Sequence, residues 1–257
     1  MILDEDIAKK TSELLLQINA IKFNHKNPFI WASGWKSPIY CDNRIILSYP
    51  EIRKYISKQL SEIISNKFPE TELIAGVATG AIGIGMLVAH ELNKPFIYVR
   101  SNPKGHGRKN MIEGYFHESS KVVVIEDLIS TGSSSLKACN SLKNEGLNLQ
   151  GMVSIFNYDF ELSKDNFLKN NVEYFSLSSF THLLIYAKSK KNSFSLKSNS
   201  DNFEFEILIN LSEICSKSSR CQIVFNGNFS MMIEMMAKKP LENFLTNIAK
   251  KIEKLEL

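Results

Sequence analysis

The chain has 257 residues, 44% hydrophobic and 23% charged, with a formal net charge of +4 at pH 7. That is enough for one sizeable domain and a smaller appendage, the composition is that of a soluble globular protein, and so small a charge excess leaves no electrostatic footprint for nucleic acid. The cysteines (Cys41, Cys139, Cys215, Cys221) form no C-x-x-C, against zinc or a redox pair; with an acidic start unlike a secretory signal and no apolar run of membrane-spanning length, the expected location is the cytoplasm, without membrane partners.

Residues 4–20 carry Ile7, Leu14, Leu15 and Ile18 at helical spacing, which predicts an amphipathic helix. Residues 28–42 read as two short strands broken at Ser33-Gly34. From Ser48 to Phe68, a hydroxyl and Pro50 precede Ile52, Tyr55, Ile56, Leu60, Ile63 and Ile64, the order expected of a helix start and its apolar stripe. The period then changes. Strands are predicted over 73–78, 95–100, 121–126, 149–157 and 172–177, and helices over 80–92, 131–144, 179–188 and a short stretch at 166–170. This alternation predicts an α/β fold with a mostly parallel sheet flanked by helices, in which ligands meet the carboxyl ends of the strands. Residues 189–201 turn polar and read as a linker. Beyond it, 203–214 and 220–229 read as an antiparallel pair and 230–255 as a helix interrupted near Pro240.

Four segments carry candidate chemistry. In the first, the β-branched run Val122-Val123-Val124-Ile125 leads into Glu126-Asp127, and Leu128-Ile129-Ser130-Thr131-Gly132-Ser133-Ser134 follows before a helix. The two acids could face ribose hydroxyls or a hydrated metal, or act as solvated turn residues. Ser130 to Ser134 offer hydroxyls and N–H groups at a helix start, where phosphate is favoured. The second segment, Val99 to Asn110, is basic (Arg100, Lys104, His106, Arg108, Lys109), and its Gly and Pro forbid a long regular element. It suits either a solvated loop or a cationic loop that draws off diphosphate. The third is the small-residue turn Val77 to Gly85, which could cradle a diphosphate or serve close helix-to-sheet packing. In the fourth, Trp31 to Arg44, aromatic residues mix with Lys36, Asp42 and Arg44, as a flap over a flat heterocyclic acid or a structural subdomain would.

Taken together, these segments resemble orotate phosphoribosyltransferase, a type I phosphoribosyltransferase, over about residues 1–188. The run Ser33 to Arg44 is similar to that family's N-terminal hood signature, Glu126 to Ser134 to its phosphoribosyl diphosphate loop, and Arg100, Lys104 and His106 fall on its cationic catalytic loop. The resemblance implies transfer of a phosphoribosyl group from phosphoribosyl diphosphate to orotate in de novo pyrimidine synthesis. It also implies Mg²⁺ carried by the substrate diphosphate, with no direct metal ligand on the chain, and a homodimer that shares the catalytic loop across its interface. It implies catalytic roles for Lys104, His106 and Asp127, with Lys104 as the leading candidate. Phosphoribosyl diphosphate would meet Arg100, Lys104, His106, Glu126, Asp127, Leu128, Ile129, Ser130, Thr131, Gly132, Ser133 and Ser134, with Glu126 and Asp127 on the ribose hydroxyls. Orotate would meet Ser130. Family lysines are replaced by Ala32 and Ser101, another by Ala81 or its neighbours, and a family arginine has no match in Ser154 to Phe160, so Lys36 and Arg44 are the candidates for the orotate carboxylate.

The tail resembles, over residues 202–252, the end of a START-like (SRPBCC) domain. That implies a fused remnant of two strands and a helix (202–257), and deletion of residues 195–257 should leave activity intact. Three other readings are a phosphoribosyltransferase for another base, a non-catalytic regulator that senses phosphoribosyl diphosphate, and a hydrophobe carrier built on the tail. The hood signature, Lys104 with His106, and the shortness of the tail speak against them in turn.

Overall fold

The computed structural model describes residues 1–23, 29–30, 36–37, 39–101 and 111–191. In chain order its elements are α1 (Glu5–Gln17), β1 (Ile21–Phe23), β2 (Phe29–Ile30), β3 (Lys36–Ser37), β4 (Ile39–Cys41), a 3-10 turn (Asn43–Ser48) and α2 (Pro50–Lys67). There follow β5 (Leu73–Val77), α3 (Gly80–Glu91), β6 (Phe96–Val99), β7 (Ile112–Glu113), β8 (Lys121–Ile129), α4 (Ser133–Asn144), β9 (Asn148–Asn157), α5 (Glu161–Lys169), β10 (Tyr174–Ser179) and α6 (Phe180–Lys191). They group into two units, Met1–Ala20 with Asp42–Ser179, and Ile21–Cys41 with Phe180–Leu257.

The first unit is built on a six-stranded sheet of order β10-β9-β8-β5-β6-β7. All neighbours are parallel except β6 and β7, which are antiparallel. This is the α/β architecture expected from the alternating pattern. The central strands are apolar throughout because helices cover both faces: every residue of β5 is buried, as are Val122 to Ile125 of β8. On one face Leu73, Ala75, Val77, Val122 and Val124 pack with Leu136, Cys139 and Leu142 of α4 and Phe167 of α5. Each such large apolar side chain contributes roughly 1.5–3 kcal/mol on burial. Cys139 is fully buried and burial pushes its thiol up to about 12. At the β9–β10 edge hydroxyls pair inside the core: the oxygens of Ser154 and Ser176 lie 2.6 Å apart, and Ser178 meets Ser12 at 2.7 Å and donates to the Ala8 carbonyl at 2.8 Å. These bonds tie α1 to the sheet.

In the second unit β1 pairs antiparallel with β4, and β2 with β3. The Phe29 and Tyr40 rings stack at 5.3 Å. Residues 28–42, expected as two strands, carry three described ones: β2 and β3 pair with each other, and β4 pairs with β1.

Several boundaries differ from the sequence expectation. β8 continues to Ile129, three residues beyond the expected end, because Leu128 and Ile129 still pair with Phe156 and Asn157 of β9. α4 begins at Ser133, not Thr131, since Gly132 is left-handed (φ 77°) and cannot sit inside a helix. α5 starts at Glu161, five residues before the short helix expected, and α6 runs to Lys191, into the segment expected as a linker. β1 and β7 were not expected at all. The tail 202–257 lies outside the described residues. Among the described residues no helix is long and apolar enough to cross a membrane.

Candidate active site

Successive side chains of a strand point to opposite faces, so the adjacent acids at the end of β8 cannot face the same way. Glu126 turns inward with Val122 and Val124 toward α4: it is 4% exposed, its Oε2 accepts from the Ser135 hydroxyl at 2.8 Å, and its Oε1 accepts the Asp127 N–H at 3.1 Å. Asp127 turns to the other face and is only partly buried. Its carboxyl lies against the backbone of Gly80, the first residue of α3, where an added Cβ would overlap all three carboxyl atoms. Its carbonyl accepts from the Asn43 side-chain amide at 2.6 Å, and Asn43 is itself 2% exposed. Gly80 and Asn43 therefore set where Asp127 points, one by leaving room and the other by holding its backbone.

Arg44 follows Asn43 and forks onto Asp42, with Nε to Oδ1 at 2.6 Å and Nη2 to Oδ2 at 3.0 Å. Its positive charge also acts on Asp127. Lys36 lies in β3, in the other unit; its side chain falls outside the described residues.

The loop after β8 is shaped for an anion. Gly132 caps α4 without a side chain, and Ser133 and Ser134 in the first turn are exposed, so the helix start presents N–H groups and hydroxyls to a ligand. The Thr131 and Ser133 hydroxyl oxygens lie 3.1 Å apart, and the Asn166 side chain donates to the Thr131 carbonyl at 2.9 Å. A Cβ on Gly132 would strike the Phe167 ring at 2.7 Å. Leu128 and Ile129, expected at the ligand, are held in the strand pairing, and the Ile129 carbonyl accepts the Tyr158 N–H at 3.0 Å.

Of the cationic loop, Arg100 and Ser101 are described; Lys104, His106, Arg108 and Lys109 lie outside the described residues. At its feet the Arg100 N–H donates to the Met111 carbonyl at 2.7 Å, the Arg100 guanidinium lies 3.3 Å from Glu113, and Lys137 of α4 donates to the Ser101 carbonyl at 3.2 Å. These feet follow the carboxyl end of β6, and the Ser101 foot is held by α4. Among the described residues no cluster of three or more His, Cys, Asp or Glu side chains could cage a metal.

The chain is 50% identical over 178 residues to the orotate phosphoribosyltransferase of Porphyromonas gingivalis, a match spanning 69% of this chain and 85% of that one. The chain belongs to the orotate phosphoribosyltransferase family. A second orotate phosphoribosyltransferase, from Bacillus subtilis, is 46% identical over 191 residues, 74% of this chain and 87% of its own length. The crystal structure of orotate phosphoribosyltransferase from Aeropyrum pernix superposes with a TM-score of 0.59 at 22% identity, covering 72% of this chain and 99% of that one, and shares the type I phosphoribosyltransferase fold. No protein-family model matches the chain.

Within this orotate phosphoribosyltransferase the acidic pair has an electrostatic consequence. Burial first, and then the neighbouring Asp127 charge, raise the Glu126 carboxyl well above its ordinary range; burial also raises Asp127, against the pull of Arg44. A carboxyl raised in the folded state binds its proton more tightly folded than unfolded. Its contribution to stability is therefore complete below the ordinary carboxylate pKa and is lost as pH rises through the folded value. Glu126→Gln, neutral at every pH, should melt higher than wild type at about pH 8, with the advantage shrinking toward about pH 5. Each kcal/mol recovered is worth roughly 2–4 °C at this chain length. Thermal melts across that range check it, and a variant less stable than wild type throughout would count against a strained buried charge.

Sequence reasoning found the acids and the loop but missed Asn43, Ser135, Glu113 and Lys137 as supports. Asn43 lies inside the hood signature, a segment already singled out, whereas Ser135 is the first residue after the phosphate loop.

Proposed function

We propose that the chain transfers the phosphoribosyl group of phosphoribosyl diphosphate to orotate, giving orotidine 5′-monophosphate and diphosphate in pyrimidine synthesis. The observation that carries this reading, beyond family membership, is the Asp127 carboxyl near the carboxyl end of β8, followed in the chain by the Gly132-capped start of α4. The first end suits a sugar and the second its phosphate. Thr131 to Ser134 hold the phosphate, Asp127 meets the ribose hydroxyls, and Glu126 supports Asp127 from inside through its N–H. Ser130, Lys36 and Arg44 receive orotate; Arg44 would share its fork between Asp42 and the orotate carboxylate.

Breaking the bond at the sugar's anomeric carbon builds positive charge on the ribose and negative charge on the departing diphosphate. Asp127 favours the first. Arg100, Lys104 and His106 favour the second, and because they act on charge that grows during the reaction they lower the barrier selectively. Mg²⁺ would be carried by the substrate diphosphate, near Asp127 and the loop hydroxyls, which are hard oxygen groups suited to a hydrated ion of that kind. When bound, it neutralises charge on the leaving group. We assign the transferase to residues 1–188, with 189–201 joining it to a START-like appendage at 202–257, and we place the protein in the cytoplasm as a homodimer whose catalytic loops are shared across the interface. Loss of turnover on deleting residues 195–257 from a still-folded protein would contradict that division.

A spectrophotometric assay of orotate consumption with phosphoribosyl diphosphate and Mg²⁺ tests the activity. Wild type should consume orotate, and Lys104→Ala should be slower by on the order of a hundredfold or more. A folded wild type that binds phosphoribosyl diphosphate without consuming orotate would point to the sensing regulator instead, and normal turnover by Lys104→Ala would remove that residue from catalysis.

A further inference from the structure

We propose that Ser135 is a positioning residue: its buried hydroxyl fixes the Glu126 carboxyl and thereby locks the sugar-facing end of β8 to the phosphate-binding start of α4. The proposal rests on the transferase reading of the same site.

Ser135 is 1% exposed and sits in the first turn of α4, among Leu136, Ala138, Cys139 and Leu142. A hydroxyl in such surroundings is unfavourable unless it is hydrogen-bonded, and a carboxyl far more so. The two satisfy each other, Ser135 donating to Glu126 Oε2 at 2.8 Å. The other oxygen, Oε1, accepts the Asp127 N–H at 3.1 Å. A single carboxyl group therefore spans from helix to strand. On the helix side, Ser133 and Ser134 immediately precede Ser135 and belong to the phosphate loop. On the strand side, the bonded N–H belongs to the residue whose carboxyl turns outward past Gly80. A substrate with a phosphate at one end and ribose hydroxyls at the other needs those two receiving points at a fixed separation, and this relay fixes it. Asn166 braces the loop by holding the Thr131 carbonyl from α5, whereas Ser135 reaches the acidic pair itself.

The test uses the full chain with two variants. Ser135→Ala removes the hydroxyl. Ser135→Cys fills nearly the same space with a weak donor. Both should weaken binding of phosphoribosyl diphosphate with Mg²⁺, measured by calorimetry, about tenfold, and should stay folded by circular dichroism while melting a few degrees lower, because the buried carboxyl loses its donor. In a Glu126→Ala background, Ser135→Ala should weaken binding no further. Wild-type affinity in Ser135→Cys, or an equal loss with and without Glu126, would overturn the proposal by reducing Ser135 to packing. Because binding is read separately from turnover, a wild type that binds but does not consume orotate defeats the activity and leaves this inference standing on the calorimetry.

Discussion

Asp127→Asn should lower the turnover of orotate by about a hundredfold or more while the protein folds and melts normally. The reason lies in the alternation of β8. Glu126 is enclosed with both carboxyl oxygens bonded, so it cannot stand in for its neighbour without breaking the Ser135 contact. Asp127 alone of the pair is open on the other face. Asparagine matches its shape and keeps the backbone bond from Asn43, but it removes the negative charge that the developing positive sugar requires. It also replaces an oxygen acceptor with an amide donor facing hydroxyl groups. Steady-state kinetics beside circular dichroism would check this, and turnover within a few-fold of wild type would mean that the sugar is gripped elsewhere.

Gly80→Ala should reduce turnover by tens to about a hundredfold, the usual consequence of displacing a reacting group by about 1 Å. This substitution is informative because local preference argues the other way. Gly80 opens α3, and alanine is favoured over glycine in a helix by up to about 1 kcal/mol. On propensity alone the variant should be as stable as wild type or more so. The new methyl, however, would occupy the place of the Asp127 carboxyl, which must swing away. A lower rate with an unchanged or raised melting temperature is the expected pair of results. Full activity would show that the carboxyl has a second working position.

The sequence made the central sheet readable because β5 and the 122–125 stretch of β8 are short apolar runs. It hid the end of β8, since Glu126-Asp127 interrupts the apolar signal although pairing with β9 continues for two residues beyond. β1 and β7 were illegible for a different reason: at three and two residues they are defined by partners elsewhere in the chain, Ile39–Cys41 and Tyr98-Val99, and not by their own composition. The early start of α5 was obscured because its inner face offers only Ser163 and Phe167 as buried residues. At the site, reading the two acids as one sugar-binding pair overlooked an available cue, the period of two that any regular strand imposes. Asn43 and Gly80 gave no such cue. Their roles arise from contact with a residue far along the chain, and neither periodicity nor propensity records that.

Cys139 has a bearing on how the protein endures oxidising conditions. Its thiol, fully enclosed beneath α4 and pushed up to about 12, supplies almost no thiolate at physiological pH, and thiolate is the species that alkylating agents and peroxides attack. The sulfur becomes reactive only when the helix lifts from the sheet, so its labelling rate serves as a built-in clock for the opening of the phosphate-binding layer.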